Sequence, residues 1–313
     1  MRLATTAFSF TNEWLARRYT LETLLARVAH LGLGPGIELI GFQTWRAYPK
    51  LTADDVLAFR RLVDELGLEP AALGAYVDTA RRADRPMTTA EAVEFLRPQI
   101  AVAEALGFPL LRLHGGVPVA VIEQLVPVAE RAGVTLAIEV QGGQTPDSPA
   151  VLALLECDVP LALDFSVAMA AVPAAFVDAV CRLGIAREDV DGLWSHALTP
   201  SDVDAPAAAL DEARAGFVRF GRQDPQAWLP FVPRIAYAHA KFWELDEAGD
   251  DASVRTAELI DVLRAGGYDG FVAIEWGGSA WVDIEDVHAF ELVRRHHERC
   301  RALVSAPAVE VPA

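Results

Sequence analysis

The chain has 313 residues, and 52% of them are apolar, which is enough to bury the core of one large α/β domain or two small ones. Its 44 acidic residues outnumber its 27 Lys and Arg residues and give a formal net charge of −17. This charge argues against nucleic acid and anionic membranes as partners, and it leaves the binding of a metal cation open.

The first apolar run is broken by Thr5 and Thr6, so it does not resemble a signal peptide, and no apolar stretch of the sequence is long enough to span a membrane. The three cysteines, Cys157, Cys181 and Cys300, form no CxxC pair, which is typical of a reducing compartment. We therefore expect a cytoplasmic protein.

Short runs rich in apolar or β-branched residues recur along the chain and are predicted strands. They cover residues 2–10, 36–42, 69–78, 109–116, 135–143, 160–167, 234–242 and 270–278. Helical patterns, with apolar residues three and four positions apart, lie at residues 20–34, 52–68, 89–108, 119–134 and 255–268. Three of these helices have a threonine at the predicted N-cap, namely Thr20, Thr52 and Thr89.

This alternation of strands and helices predicts parallel pairing through crossover connections. Eight such units in residues 1–302 fit a closed (β/α)₈ TIM barrel, followed by a flexible tail over residues 303–313. An open doubly wound sheet is the alternative, although no glycine-rich nucleotide-binding turn follows the first strand.

The connection between predicted strands six and seven, about residues 167–233, is twice the usual length. In a barrel it would lie over the C-terminal face, where active sites are built, as a lid or a partner surface. Extra helices packed on the outside are the plainer interpretation. Within it, Asp224 and Pro225 are typical of a helix N-terminus, and Arg222 is a candidate for contacting a ligand.

Four successive predicted strands carry a metal-binding type of residue near their C-terminal ends: Glu139, Asp164, His239 and Glu275. Each one alone is more typical of an ion pair, a helix cap or a core histidine. Together, at one rim of a parallel barrel, three carboxylates and an imidazole predict a site for a divalent cation. Mn²⁺ suits this oxygen-rich set best, with Mg²⁺ or Co²⁺ as alternatives.

Other polar or aromatic residues near the same strand ends are weaker candidates for contacting a ligand, and each could instead have a structural role. They are Glu38, His114, Gln141, Lys241 and Trp276. Gly142 and Gly143, which follow the fifth strand, are expected to leave room for a ligand. The adjacent His296 and His297 near the C-terminus point in different directions on a helix, so we interpret them as part of a solvated last helix rather than a metal site.

The four-residue series resembles the metal site of the xylose-isomerase-like TIM barrels, the sugar phosphate isomerase/epimerase superfamily. Several stretches also resemble the large (alpha) subunits of C-glycoside deglycosidases: "TNEWLARRYTLE", "GPGIELIGFQ", "HGGVPVAVIEQL", "FGRQDPQAW" and "HAKFWELDEAG". The resemblance implies one divalent metal on these four side chains and further roles for Glu139 and Glu275 in proton transfer. It also implies a small beta-subunit partner, with a homo-oligomer as the alternative.

One position departs from that subgroup, because Gln141 stands where the resemblance implies a histidine acting as general base. Glutamine cannot accept a proton near neutral pH, so His114 or Lys241 must take that role if the chemistry is kept. The implied reaction removes a proton next to the carbonyl of a keto sugar and then cleaves the C–C glycosidic bond of a 3-oxo-C-glycoside. The alternatives are a keto-sugar isomerase or epimerase and a non-catalytic sugar-binding or scaffold barrel, whereas the acidic charge disfavours a related endonuclease.

Overall fold

Eight parallel strands pair in chain order, and the last pairs with the first, which closes a barrel. They are β1 (Arg2–Thr6), β2 (Gly36–Ile40), β3 (Glu69–Ala75), β4 (Leu110–Leu113), β5 (Thr135–Val140), β6 (Leu161–Asp164), β7 (Ile235–Phe242) and β8 (Phe271–Trp276). The structure, a computed structural model, describes residues 1–77, 83–281 and 288–306. The predicted TIM barrel is therefore confirmed, and the open-sheet alternative is wrong because β1 pairs with β8.

Helices surround the barrel. They are α1 (Thr11–Leu15), α2 (Leu21–His30), α3 (Gly41–Thr44), α4 (Ala53–Glu65), α5 (Thr89–Leu106), α6 (Val119–Arg131), α7 (Pro149–Glu156), α8 (Ala174–Arg182), α9 (Arg187–Trp194), α10 (Ala207–Phe217), α11 (Thr256–Ala265) and α12 (Ala289–Ser305). None of the helices in the described residues is long and apolar enough to cross a membrane.

Side-chain hydrogen bonds define where three of the helices begin. Thr20 and Thr52 cap α2 and α4 as predicted, each through a reciprocal bond with the third helical residue. The prediction of Thr89 as the N-cap of α5 is wrong by one residue. Thr88 has the extended backbone and accepts from the Glu91 N–H, and Thr89 is already helical.

Inward-facing residues alternate along the strands, and on β5 to β8 they change from a small or aromatic residue to a polar one toward the C-terminal end. The interior on the N-terminal side is filled by residues that include Ala4, Ala72, Ala137, Ala162, Tyr237 and Ala273. Two residues further along their strands come Glu139, Asp164, His239 and Glu275. Strand periodicity therefore carries all four side chains to the same level of the barrel interior.

The last helix is less solvated than its sequence predicts. His296 and His297 are both completely buried, and the ring of His296 lies 4.4 Å from that of Phe242 between centroids. Burial, supported by the nearby Arg301 cation, lowers the pKa of His297 to about 4. These histidines are neutral packing residues, so the prediction of a solvated helix is wrong at the two positions.

The C-terminal boundary also differs from the prediction. The predicted tail begins at residue 303, yet α12 continues to Ser305. Leu303 and Val304 pack against the main hydrophobic core, which extends the helix. Residues 307–313 of the predicted tail lie outside the described residues.

The connection between β6 and β7 contains α8, α9, α10 and 3₁₀ segments. Its return segment, which we define as residues 218–222, lies against the ends of β5 and β6. The Gly221 N–H donates to the Ser166 carbonyl at 2.7 Å, and the Met169 N–H donates to the Gly221 carbonyl at 2.8 Å. The connection is thereby fixed at the C-terminal rim of the barrel.

Two glycines permit this close packing. Gly142 has a positive φ of 54°, and a Cβ at this position would collide with the Val218 carbonyl oxygen. A Cβ on Gly221 would likewise collide with the Gly142 carbonyl oxygen. The expectation that Gly142 leaves room for a ligand is therefore wrong, since the space beside it is filled by the return segment. Gly143 does have open space around its Cα and lines the cavity described below.

The Gly142→Ala protein is expected to be less stable than the parent by about 2–4 kcal/mol, since alanine would combine a left-handed backbone with a backbone collision. Gly143→Ala is the matched control, because a methyl group at that position would have no neighbouring atom within 4 Å. Urea unfolding of both variants measures the difference. Equal stabilities would contradict the packing of the return segment on Gly142.

Candidate functional site

Four buried side chains meet at the C-terminal end of the barrel interior, one from each of the strands β5 to β8. They are Glu139, Asp164, His239 and Glu275, and one ligand atom from each lies within 4.8 Å of all the others. Two ligands on opposite sides of a cation at about 2.0–2.6 Å from it lie about 4–5 Å apart, so these atoms can surround a single ion. Their chemistry, three carboxylates and an imidazole, suits a divalent metal.

His239 has one nitrogen directed at the cluster and the other at a supporting carboxylate. Its Nδ1 lies 3.0 Å from Glu139 Oε1 and 3.2 Å from Glu275 Oε2, and its Nε2 lies 2.7 Å from Glu38 Oε2. When the ring is neutral and Nε2–H donates to Glu38, Nδ1 presents a lone pair to the cluster, which is the arrangement that carboxylates impose on metal-binding histidines. Burial alone would lower the pKa of His239, but Glu38, Glu275 and Glu139 raise it well above its usual range.

Arg112 on β4 is a functional residue that the sequence analysis missed. Its buried guanidinium donates to Glu38 Oε1 at 2.7 Å and to Glu139 Oε2 at 3.0 Å. Burial would raise the pKa values of both acids, but Arg112 and His239 lower that of Glu38 to about 2 and lower that of Glu139 as well. The carboxylates of Glu38 and Glu139 therefore stay ionised. The sequence signal that could have identified Arg112 was its single charge within the apolar strand "LLRL".

Lys241 lies at the edge of the cluster and is predicted as a possible base. Its Nζ is 2.6 Å from Glu275 Oε1 and 3.2 Å from Asp164 Oδ2. Burial would lower the pKa of Lys241, but these two carboxylates raise it. The side chain is consequently an ammonium ion, which donates hydrogen bonds and cannot accept a proton.

The charges around the cluster do not balance without a cation. Four carboxylates, those of Glu38 and the three acidic cluster residues, face the cations Arg112 and Lys241. A metal ion on Nδ1 would displace the proton of His239 and leave the ring neutral. Two negative charges would then remain, and a divalent ion would compensate for them. Asp164 also caps a short 3₁₀ segment through Oδ1, which accepts from the Ser166 N–H at 2.7 Å, and its Oδ2 remains directed at the cluster. The capping role and a ligand role are therefore compatible.

A cavity of about 1230 Å³ opens above the cluster. Its floor includes Arg112, Glu139, Lys241 and Glu275. Its wall comes largely from the connection between β6 and β7 and includes Leu193, Trp194, Leu198, Leu210, Phe217 and Phe220. The cavity thus joins a charged floor to a largely apolar wall.

His114 and Gln141 form a pair at the side of this cavity. Their Nε2 atoms are 2.6 Å apart, and His114 Nδ1 lies 3.0 Å from the Gly115 carbonyl oxygen. When Nδ1–H donates to that carbonyl, Nε2 is the unprotonated nitrogen and accepts from the Gln141 amide. In that tautomer the lone pair of His114 Nε2 is directed at Gln141, and both side chains line the cavity.

The structure places the remaining candidates differently. Arg222 lines the cavity, but Glu38 is completely buried beneath His239 and is not among the described residues that line it. The prediction that Glu38 contacts substrate is wrong, because both of its oxygens are engaged by Arg112 and His239. The prediction that Trp276 contacts substrate is also wrong. It follows Glu275 directly, so it faces the opposite side of β8, where it is buried and donates to the Trp243 carbonyl at 2.9 Å.

Comparison with known proteins matches residues 25–153 to the xylose isomerase-like TIM barrel family. The 3'-dehydrocarminate deglycosidase alpha subunit of Microbacterium sp is 31% identical, over 96% of this chain and 95% of that protein. A C-glycoside deglycosidase alpha subunit of Arthrobacter globiformis is 34% identical, over 92% of this chain and 87% of that protein.

Solved structures share the fold at much lower identity. A D-psicose 3-epimerase structure superposes with a TM-score of 0.60 at 12% identity, covering 98% of this chain and 100% of that one. The D-allulose 3-epimerase from Methylomonas sp. superposes with a TM-score of 0.59 at 17% identity, covering 96% of each chain.

Proposed function

This chain belongs to the C-glycoside deglycosidase alpha subunits, a family of enzymes with the xylose isomerase-like TIM barrel fold, and we propose that it is a metal-dependent lyase that cleaves the C–C glycosidic bond of 3-oxo-C-glycosides. The observation that carries this proposal is the convergence of Glu139, Asp164, His239 and Glu275 at the base of the cavity, which Glu139 and Glu275 line. The alpha-subunit names of the relatives support a further proposal, that a small beta subunit is its partner.

The residues fit a divalent cation. The four cluster residues would hold it, with Mn²⁺ preferred and Mg²⁺ or Co²⁺ as alternatives, because hard oxygen ligands dominate the set. When bound, such a cation supplies Lewis-acid polarisation of the carbonyl group of a keto sugar. The Lys241 ammonium, also on the floor, stabilises the negative charge that develops on a sugar oxygen.

His114 is the base in this proposal. Its Nε2 removes the proton from the carbon between the 3-oxo group and the carbon that bears the aglycone, and the electron pair of that C–H bond forms an enolate. The enolate then collapses to a carbon–carbon double bond within the sugar as the glycosidic C–C bond breaks. The aglycone carbon leaves with the electrons of that bond and takes the proton back from His114, so no proton is lost or gained overall.

Gln141 is a positioning residue for His114. Its amide donates to the single lone pair of His114 Nε2 before substrate arrives. Substrate must therefore displace this hydrogen bond before Nε2 can accept its proton. In this chain the histidine on the β4 loop thus replaces the one that the resemblance implies at position 141. Lys241 is a poor alternative base because its two carboxylate partners keep it protonated.

The dimensions of the cavity support cleavage of a glycoside over isomerisation of a free sugar. Its volume of about 1230 Å³ exceeds the 300–1,000 Å³ typical of sites for drug-sized ligands. An apolar wall beside a polar floor suits a sugar linked to an aromatic aglycone, whereas a free keto sugar would leave the wall uncovered. A keto-sugar epimerase shares the first proton transfer, and the epimerase structures support the fold alone.

Removal of metal tests this proposal. The full chain, assayed alone and with the beta subunit of a relative, is expected to cleave a 3-oxo-C-glycoside. Chelation with EDTA is expected to lower the rate at least about 100-fold, and Mn²⁺ is expected to restore it. Full activity in a preparation shown to contain no metal would contradict the proposal, as would binding of metal without cleavage across a range of 3-oxo-C-glycosides.

A further inference from the structure

Tyr76 lines the cavity and has no part in the proposed reaction. It directly follows the end of β3 and comes two positions after Gly74, so the two residues share the inward face of the strand. Gly74 pairs with Arg112 on β4, and His114 follows Arg112 by two positions on the same face. Tyr76 and His114 are therefore neighbours in the next layer of the interior, at the rim of the barrel.

The Arg112 guanidinium holds the hydroxyl group of Tyr76. A Cβ on Gly74 would lie 2.8 Å from Arg112 Nη2, so the glycine leaves the space that the guanidinium occupies. Its Nε and Nη1 donate to Glu38 and Glu139, and the guanidinium also has a hydrogen-bonding interaction with the Tyr76 hydroxyl. Because a guanidinium carries donors only, the hydroxyl oxygen is the acceptor in this contact, and its own proton is not used.

The Tyr76 hydroxyl is thus a hydrogen-bond donor whose acceptor must come from a ligand. Among the residues that the structure describes, no atom accepts its proton. Burial raises the pKa of Tyr76, so the hydroxyl keeps that proton near neutral pH. Since the side chain is half-buried and lines the cavity, a bound ligand can supply the missing acceptor.

His114 and Tyr76 are close enough to contact two substituents of one carbon atom. Their ring centroids are 5.7 Å apart, and the ring planes are tilted by 32°. A base about 3 Å from the carbon of a C–H bond and a donor about 2.8 Å from a hydroxyl oxygen on that carbon lie about 4–6 Å apart. In a 3-oxo derivative of a hexose, the carbon that loses its proton to His114 also carries a hydroxyl group.

We infer that Tyr76 binds the hydroxyl group on the carbon that loses its proton, and that this contact directs the C–H bond of the same carbon at His114 Nε2. The inference rests on the proposed function, because that reaction identifies the carbon. It makes Tyr76 a residue that determines specificity. At a carbon of the opposite configuration the hydrogen and the hydroxyl exchange places, so the base would face an oxygen and not a C–H bond.

Binding of two unreactive glycosides tests the inference without cleavage. Phenyl C-glucoside, which has a hydroxyl in place of the 3-oxo group and cannot form the enolate, and its 2-deoxy analogue are titrated into the Mn²⁺-loaded full chain by calorimetry. The parent is expected to bind the 2-hydroxy compound about fivefold more tightly, the effect of one hydrogen bond. Tyr76→Phe is expected to reduce this ratio to about one, because it removes the hydroxyl and keeps the ring beside His114.

Tyr19→Phe is the matched control. Tyr19 is half-buried, its ring contacts Phe290 at 5.2 Å between centroids, and it is not among the described residues that line the cavity. This variant also loses one phenolic hydroxyl, and it is expected to keep the affinity ratio of the parent.

Turnover provides a second measurement. On a 3-oxo-C-glycoside, Tyr76→Phe is expected to lower kcat/KM by at least about tenfold while the metal content stays at that of the parent. On the 2-deoxy form of the same substrate, the change is expected to be less than about twofold, since the group that Tyr76 binds is missing. A residue that only packs against His114 would lower both rates by the same factor.

An affinity ratio near one in the parent, or the parent ratio in Tyr76→Phe, would overturn the inference. No measurable binding of either glycoside would overturn it too, as would equal losses of kcat/KM on the two substrates. Because the titrations involve no cleavage and the EDTA experiment compares no hydroxyl groups, each can fail while the other succeeds.

Discussion

The His239→Ala protein is expected to retain little metal after loading with Mn²⁺ and desalting, and to lose the proposed lyase activity by at least about 10³-fold. Alanine removes a ligand atom that the structure places 3.0 Å from Glu139 Oε1 and 3.2 Å from Glu275 Oε2. It also removes the hydrogen bond that Glu38 accepts. Metal content by mass spectrometry and the initial rate on a 3-oxo-C-glycoside measure the two effects.

Two further variants separate loss of metal from loss of fold. Glu275→Gln keeps a hydrogen-bond acceptor for Lys241 and weakens the ligand, so it is expected to lose metal with less structural disturbance. Glu38→Gln leaves all four ligands and changes the partner of the His239 ring, so its metal affinity is expected to fall by about 10–100-fold. If all three variants bound metal as the parent does, the cluster would not be the metal site.

Replacement of His114 by glutamine is expected to lower kcat by about 10²–10⁴-fold while the metal content stays at that of the parent. His114 lies outside the metal cluster, and its Nε2 is the nitrogen that the proposed reaction uses. Initial rates on a 3-oxo-C-glycoside and metal analysis of the same preparation measure the two quantities.

Exchange of His114 with its hydrogen-bond partner Gln141 provides a control. In the double variant His114→Gln with Gln141→His, the histidine and the amide change places across a contact of 2.6 Å. Part of the lost rate is expected to return, because position 141 lines the same cavity and follows Glu139 on the same face of the chain. A His114→Gln protein with the rate of the parent would show that another group removes the proton.

The barrel and its four-residue cluster were predictable because both depend on local patterns. Strand runs alternate with helical runs, and each of the four residues follows an inward-facing small or aromatic residue by two positions. The same alternation should have excluded Trp276, which is adjacent to Glu275 and so faces outward. His296 and His297 lie three and four residues after the buried Val293, a spacing that already indicates the inner face of α12.

Other parts of the site depend on distances across the fold that the sequence does not encode locally. Glu38 on β2 pairs with Ala72 on β3, and the register of the strands places the Glu38 side chain beneath His239. Arg112 resembles a core strand residue in sequence, and its role follows from two acids that are 74 and 27 positions away. The contact of Gly142 with Val218 likewise joins distant segments. From the sequence, Gly142 could therefore not be distinguished from a glycine that leaves space for a ligand.

We propose that Glu139, Asp164, His239 and Glu275 bind one divalent metal ion. Anomalous diffraction from crystals of the Mn²⁺-loaded protein tests this assignment. A single manganese peak is expected about 2.0–2.6 Å from a carboxylate oxygen of each acid and from Nδ1 of His239, with Nε2 still bonded to Glu38. A peak elsewhere in the cavity, or a fully loaded crystal with no peak among these four side chains, would contradict the claim.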